Sequence, residues 1–216
     1  MTVVKICGLR TPEHALAATE AGADMLGFVF AQSRRQITPG QASSIVAGLH
    51  AARGNKPLPQ LVGLFVNEPV TRVNAILGET GLNAAQLSGD ESADVIPQIH
   101  ATRLMKAVRI SGDEYERPWL EPDTQPRVLL LVDAHVPGVY GGTGVIADWE
   151  RAAMLARQRP IMLAGGLTPE NVAEAIRQVR PWGVDVSSGV ETAGVKDTAK
   201  IHAFIAAVRA VDQEQV

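Results

Sequence analysis

A cysteine, an aspartate and three glycine- or serine-bearing clusters are the residues of this chain best suited to chemistry. Cys7 is its single cysteine. A lone cysteine in an apolar run is usually a small buried hydrophobe, but a thiolate is also a base or nucleophile wherever a cation or helix N-terminus lowers its pKa from about 8.5. Asp133 ends the apolar run Val128-Leu129-Leu130-Leu131-Val132. A carboxyl held there is poorly solvated, which raises its pKa and suits it to donating a proton to a leaving oxygen; capping loop amides is the alternative use of such a side chain. Gly141-Gly142-Thr143-Gly144, Gly165-Gly166 and Ser187-Ser188-Gly189 would offer backbone N–H groups, the last two leading into helix N-termini, to one dianion. Any one of these clusters is explained by a tight turn; three on neighbouring strands point to a phosphate. The chain has no G-x-x-x-x-G-K-[ST] motif, so this is not a nucleoside-triphosphate loop. Lys5 and Asp185 read as a buried pair, with a Schiff-base lysine as the alternative for Lys5. The histidines are scattered, with His14, His50, His100 and His202 falling on expected helices and His135 in a loop. None is paired at metal-ligand spacing.

The elements that must position these groups alternate along the chain. Short apolar or β-branched runs occupy Val3 to Cys7, Met25 to Phe30, Leu61 to Val66, Ala84 to Leu87, Leu104 to Val108, Val128 to Asp133, Ile161 to Ala164 and Val184 to Val186, which predicts eight strands. Between them Pro12 to Ala21, Pro69 to Leu77, Trp149 to Arg157, Pro169 to Val179 and Asp197 to Val208 carry helical spacing, with Ile201, Phe204, Ile205 and Val208 on one face of the last. Thr11-Pro12, Thr38-Pro39 and Thr168-Pro169 read as helix entries, a capping hydroxyl before a proline at the first helical position. Gly22 and Gly78 stand where left-handed helix stops are expected. Between Ile110 and Pro126, prolines and charges predict a short or broken helix. Apolar strands separated by helices belong in a parallel sheet, and eight such units predict one (βα)8 barrel over residues 1–216, a TIM barrel with its phosphate site at the C-terminal mouth. An open doubly wound sheet is the other candidate, but the chain lacks the G-x-G-x-x-G after its first strand. Strand alternation then turns Lys5 and Cys7 to the lumen, and Asp133 inward with Leu129 and Leu131.

Composition agrees with one packed domain. The 216 residues are 46% hydrophobic and 20% charged, with a formal net charge of -3. No basic run could track nucleic acid or an anionic membrane, no apolar run is long enough to span a bilayer, and Met1-Thr2-Val3-Val4-Lys5 does not read as a signal peptide. The expectation is a cytoplasmic protein whose partner is a small molecule, as monomer or homodimer.

Read in order, Lys5-Ile6-Cys7-Gly8, Gly22-Ala23-Asp24, Gly27-Phe28-Val29-Phe30, Gln86-Leu87, Asp133, Gly141-Gly142-Thr143-Gly144, Asp148-Trp149, Leu163-Ala164-Gly165-Gly166-Leu167, Asn171-Val172 and Asp185-Val186-Ser187-Ser188-Gly189-Val190-Glu191 resemble the phosphoribosylanthranilate isomerase family over nearly the whole length. The resemblance implies an Amadori rearrangement of N-(5-phosphoribosyl)anthranilate to 1-(2-carboxyphenylamino)-1-deoxyribulose 5-phosphate, in tryptophan biosynthesis, with no cofactor and no metal. It implies Asp133 as general acid, Cys7 as general base, and Arg35 as receiver of the anthranilate carboxylate, with Arg34 able to share or take that part. The substrate-binding set it implies is Arg35, Gly142, Gly144, Gly165, Gly166, Asp185, Ser187, Ser188 and Gly189. Ser88 departs from the histidine common in the family, which implies altered packing around the anthranilate.

Three rival readings differ from it at named positions. The histidine-pathway Amadori isomerase would typically carry an aspartate where Cys7 stands, and a ribulose-phosphate epimerase would bring metal-binding histidines and acids to several strand ends. A catalytically silent phospho-ligand sensor would keep the anion site without needing Cys7 and Asp133.

Overall fold

A computed structural model describes residues 1–110, 112–120, 128–133 and 149–214. Eight parallel strands, β1 (Val3–Cys7), β2 (Met25–Val29), β3 (Gln60–Phe65), β4 (Ala84–Leu87), β5 (Arg103–Val108), β6 (Val128–Val132), β7 (Ile161–Leu163) and β8 (Gly183–Val186), close in chain order into a barrel. β1 completes the ring by pairing with β8, Lys5 opposite Asp185. The helices are α1 (Pro12–Ala21), α2 (Pro39–Arg53), α3 (Val70–Thr80), α4 (Arg117–Leu120), α5 (Trp149–Ala156), α6 (Val172–Val179) and α7 (Thr198–Glu214). Among the described residues no helix is long and apolar enough to cross a membrane.

The period-two pattern of the strands sorts the core into two clusters. Met25, Val62, Ala84, Met105, Leu129, Leu131, Met162 and Ala164 fill the lumen, while Val4, Ile6, Leu130, Val132, Ile201 and Phe204 belong to the layer between sheet and helices. Alternation therefore sends Lys5, Cys7 and Asp185 inward with the first set. Inside this apolar lumen the Lys5 Nζ donates to Asp185 Oδ1 at 2.9 Å, with the lysine fully buried. Removing either partner would strand a buried charge, a change that costs roughly 3–5 kcal/mol.

Local chemistry accounts for most element ends. Thr11 accepts the His14 amide before Pro12, and Thr38 with Gln41 forms a reciprocal capping box before Pro39. Gly22 ends α1 at φ 96°. Elsewhere the sequence expectation needs correction. α3 runs through Gly78 and stops at Gly81, which takes the left-handed turn at φ 72°. Thr168 opens a turn, its amide held by Asn171 Oδ1 at 2.8 Å, and α6 begins only at Val172. The last helix continues six residues beyond Val208 to Glu214, burying Val211 on the way. His100 lies outside any helix, because the β4–β5 connection is the 3-10 segment Ala93–Gln98 with Pro97 inside it. The unit after β5 is broken as expected, a 3-10 turn (Glu114–Glu116) followed by the four-residue α4. Phe30, Val66, Asp133 and Ala164 lie one residue beyond their strands, where side chains still point with the strand but backbone pairing is ending.

Candidate active site

At the C-terminal mouth of the barrel the structure places a cavity of about 730 Å³ lined by Cys7, Arg35, Gln86, Ser88, Asp133, Asp185 and Ser187 among others. Cys7 and Asp133, far apart in sequence, thus line one cavity because β1 and β6 both end at this mouth. Cys7 is 4% exposed. Burial pushes its thiol above the ordinary value of 9.0, against the pull of the Lys5 charge below it; Asp185 pushes it further up and Lys196 draws it down. Burial would lower the Lys5 pKa, but the adjacent Asp185 carboxylate outweighs that and holds it raised. The lysine is therefore a fixed cation beneath the thiol, paired as the sequence suggests. Gly27 faces Cys7 across the β1–β2 ladder, and a Cβ there would stand 2.8 Å from Sγ. Only glycine leaves the thiol its place.

A second, small cavity of about 30 Å³ adjoins the first, sharing Asp133, Asp185 and Ser187, and is walled by Gly165, Gly166, Leu167 and Ser188. Gly165 and Gly166 both adopt positive φ, 85° and 67°, which only glycine does at no cost. Gly189 lies so close to the loop after β7 that a Cβ would fall 1.8 Å from the Leu167 carbonyl oxygen. Two loops thus pack backbone on backbone. Among the described residues no protein acceptor takes the N–H of Gly166, Ser188 or Gly189; Gly166 and Ser188 line this narrow pocket, and free backbone donors of that kind suit an anion. The loop after β8 does not open directly into a helix, contrary to the sequence expectation. The loop after β8 leads into the 3-10 turn Ser188–Val190 and a two-stranded hairpin, β9 (Glu191–Thr192) with β10 (Val195–Lys196), before α7 begins. Gly142 and Gly144, with His135, Gly141, Thr143 and Asp148, lie outside the described residues.

Arg35 is 8% exposed and lines the larger cavity, whereas the Arg34 side chain is 58% exposed. The Arg35 stem crosses Gly8, which has a positive φ of 79° and also no room for a side chain: a Cβ would sit 2.5 Å from Arg35 Cδ. Its guanidinium donates through Nε and Nη2 to the two oxygens of Glu191, at 2.6 and 3.0 Å. Glu191 also takes Lys196 at 2.9 Å and Arg34 at 2.8 Å. Burial would raise the Glu191 pKa, but hydrogen bonding by Arg35 and the charge of Lys196 hold it lowered. Neither Glu191 nor Lys196 stood out as a site residue in the sequence. Glu191 closes the Ser187-Ser188-Gly189-Val190 run, and that adjacency was the one available signal; Lys196 offered none. Gln86, on β4, lines the same cavity, its Nε2 donating to Ser88 Oγ at 3.0 Å, and its Oε1 is buried with no partner among the described residues.

Closed parallel barrel and mouth-side cavity together define a (βα)8-barrel enzyme. Residues 4–207 match the model of the N-(5'-phosphoribosyl)anthranilate (PRA) isomerase family. The chain belongs to that family. It is 58% identical over 214 residues to the N-(5'-phosphoribosyl)anthranilate isomerase of Roseiflexus sp. (strain RS-1), covering 99% of this chain and 100% of that one. Among solved structures it is similar to phosphoribosyl anthranilate isomerase from Thermotoga maritima, with a TM-score of 0.83, 36% identity, and coverage of 97% of this chain and 100% of that one. It is also similar to a phosphoribosyl anthranilate isomerase in complex with reduced 1-(o-carboxyphenylamino)-1-deoxyribulose 5-phosphate, with a TM-score of 0.80, 35% identity, and coverage of 97% and 100%.

Proposed function

We propose that Asp133 and Cys7 are the acid and base of the family's isomerisation in this chain. By family membership the chain is an isomerase of tryptophan biosynthesis acting on N-(5'-phosphoribosyl)anthranilate. The observation that carries the residue assignment is that Cys7 and Asp133 line one cavity, and that this cavity shares Asp133, Asp185 and Ser187 with the small pocket walled by Gly165, Gly166 and Ser188. A substrate with its phosphate on the loops of Gly165, Gly166, Ser187, Ser188 and Gly189 would bring its sugar between the two groups. Gly142 and Gly144 complete the phosphate site in this reading, Asp185 borders the sugar, and Arg35 receives the anthranilate carboxylate.

Asp133 donates a proton to the furanose ring oxygen, and the C1–O bond breaks as the anthranilate nitrogen forms a double bond to C1. The product of that step is an open-chain protonated Schiff base with a hydroxyl at C4. Cys7, acting through the minor thiolate fraction that its raised pKa leaves at neutral pH, then removes the C2 proton, and the C–H electron pair neutralises the iminium to give the enolamine. Tautomerisation places a proton on C1, removes one from the C2 hydroxyl and restores both side chains. Every step moves protons, which is work a thiol and a carboxyl can do unaided.

The test is a fluorescence assay that generates the labile substrate in place and follows its disappearance. Cys7→Ala and Asp133→Asn are each expected to lose roughly two or more orders of magnitude in rate with circular dichroism unchanged; wild-type-like turnover by either would remove that residue from its role. As to partners, the reading is a small phosphosugar, no nucleic acid and no membrane. The cytoplasm is its proposed location, and monomer or homodimer its proposed state. A structure from Thermotoga maritima is described as mutually generated monomers of a dimeric isomerase, and sedimentation would show which form this chain takes.

A further inference from the structure

We infer that Glu191 is a positioning residue that aims Arg35 at the substrate carboxylate, by occupying one edge of its guanidinium and leaving the other to the cavity. This rests on the reading of Arg35 given above. Glu191 engages Arg35 side-on, through Nε and Nη2. The Nη1–Nη2 edge then remains for a second planar carboxylate, the fork geometry that arginine suits best. The carboxylate can act as a template because it is itself anchored. Its side chain is 4% exposed. Lys196 Nζ donates to its Oε1 at 2.9 Å and to the Ser187 carbonyl at 2.7 Å. Ser187 Oγ in turn donates to the Cys7 carbonyl at 3.2 Å, and Lys200 Nζ holds the Glu191 carbonyl at 2.9 Å. The aim of Arg35 is thereby referenced to the backbone of the proposed base, so the anthranilate end and the reacting carbon are placed by one connected set of contacts.

The expected effect of removing the Glu191 charge is opposite in sign to simple electrostatics. Glu191 is a negative charge among Arg34, Arg35 and Lys196, so if only the field mattered, Glu191→Gln would tighten anion binding. Calorimetry with two probes separates the cases: reduced 1-(o-carboxyphenylamino)-1-deoxyribulose 5-phosphate, and the same compound lacking the ring carboxyl. The wild type is expected to prefer the first by about tenfold or more, the worth of one charge-assisted hydrogen-bond pair. Glu191→Gln is expected to lose most of that preference, Arg35→Ala to abolish it, and the double variant to be no worse than Arg35→Ala. Glu191→Asp keeps the charge among its three cations but draws back from the Arg35 fork, so it reports the same loss where the glutamine variant does not fold. An unchanged or increased preference in the folded Glu191 variants, with Arg35→Ala lacking it, overturns the inference alone. Retention of the preference by Arg35→Ala overturns the reading of Arg35 and the inference with it. General damage to the fold weakens both probes alike and leaves their ratio unchanged, which counts against a positioning role.

Discussion

At the residue scale, the site is a thiol whose environment opposes its ionisation. Cys7 sits in an apolar lumen that raises its pKa above 9.0, with the Lys5 charge opposing that rise. Because Cys7 is the single cysteine, its titration is readable without interference. The ultraviolet thiolate absorbance of the wild type, after subtraction of Cys7→Ala, is expected to titrate with a midpoint above 9.0; a midpoint below it would show that the cation, not burial, governs. A thiol with a raised folded pKa contributes stability in full below its unfolded value, about 8.5, and loses it as pH rises through the folded one. Position matters as much as charge. Gly27→Ala puts a methyl 2.8 Å from Sγ and 3.0 Å from the Cys7 Cα, so β1 or the thiol must shift. The expected outcome is a kcat lower by roughly ten- to a hundredfold in a folded protein, since small misplacements of a reacting group cost that much; an unchanged kcat would mean the thiol tolerates displacement. Cys7 and Asp133 were legible in the sequence because strand ends are where a barrel keeps its chemistry. Glu191 was not, since its importance lies in a fork closed by Arg35, 156 residues away.

Among the elements, those with local causes were the readable ones. β1 and α1 have the bounds the sequence predicts, since Thr11, Pro12 and Gly22 each act within one turn of the helix they delimit. Gly78 misled for a steric reason: it lies on an exposed face of α3 with nothing within 4 Å of a would-be Cβ, while Gly81 alone takes the left-handed turn. Two glycines three residues apart offer the same freedom, and the helix carries on to bury Thr80 before Gly81 turns it. The close approach of the loops after β7 and β8 was likewise invisible in sequence, where Gly189 is one of twenty glycines. Its space requirement is absolute, for a Cβ would lie 1.8 Å from the Leu167 carbonyl oxygen and 3.1 Å from the Thr168 Cα. Backbone atoms on both sides cannot rotate away, so Gly189→Ala must spread the two loops and their amides. Affinity for inorganic phosphate, followed by calorimetry, is expected to fall by about an order of magnitude or more, the worth of one or two charge-assisted hydrogen bonds. Wild-type phosphate affinity in this variant would place the anion elsewhere.

For the whole molecule, an eightfold alternation indicates that the strands close but not what locks the closure, because the lock joins residues from opposite ends of the chain. β1 pairs with β8, and the last helix then reaches back over the strand that began the barrel. The Asp212 oxygens accept the Thr2 amide at 2.9 and 3.1 Å and the Thr2 hydroxyl at 2.7 Å. Arg209 donates to the Thr2 carbonyl at 2.6 Å and to Asp24 at 2.9 Å, tying the entry of β1 and that of β2 to α7. The sequence pattern ends the helix at Val208 because Ile201, Phe204, Ile205 and Val208 already complete an apolar face; the turn beyond it is held by the buried Val211 together with these polar ties. Partial burial would raise the Asp212 pKa, but hydrogen bonds from Thr2 and Arg209 outweigh it and hold it lowered. A carboxyl whose folded pKa is depressed stabilises the fold above its unfolded value, about 3.9, and loses that contribution as pH falls through the folded one. Asp212→Asn is therefore expected to cost about 1–3 kcal/mol at neutral pH, read as a drop in Tm of about 2–4 °C per kcal/mol for a chain of this size. As the pH is lowered below about 4, wild type loses its advantage and the two melting curves should converge. A gap that persists unchanged into acid would assign the contribution of Asp212 to packing, and the closure of the barrel to its apolar layers alone.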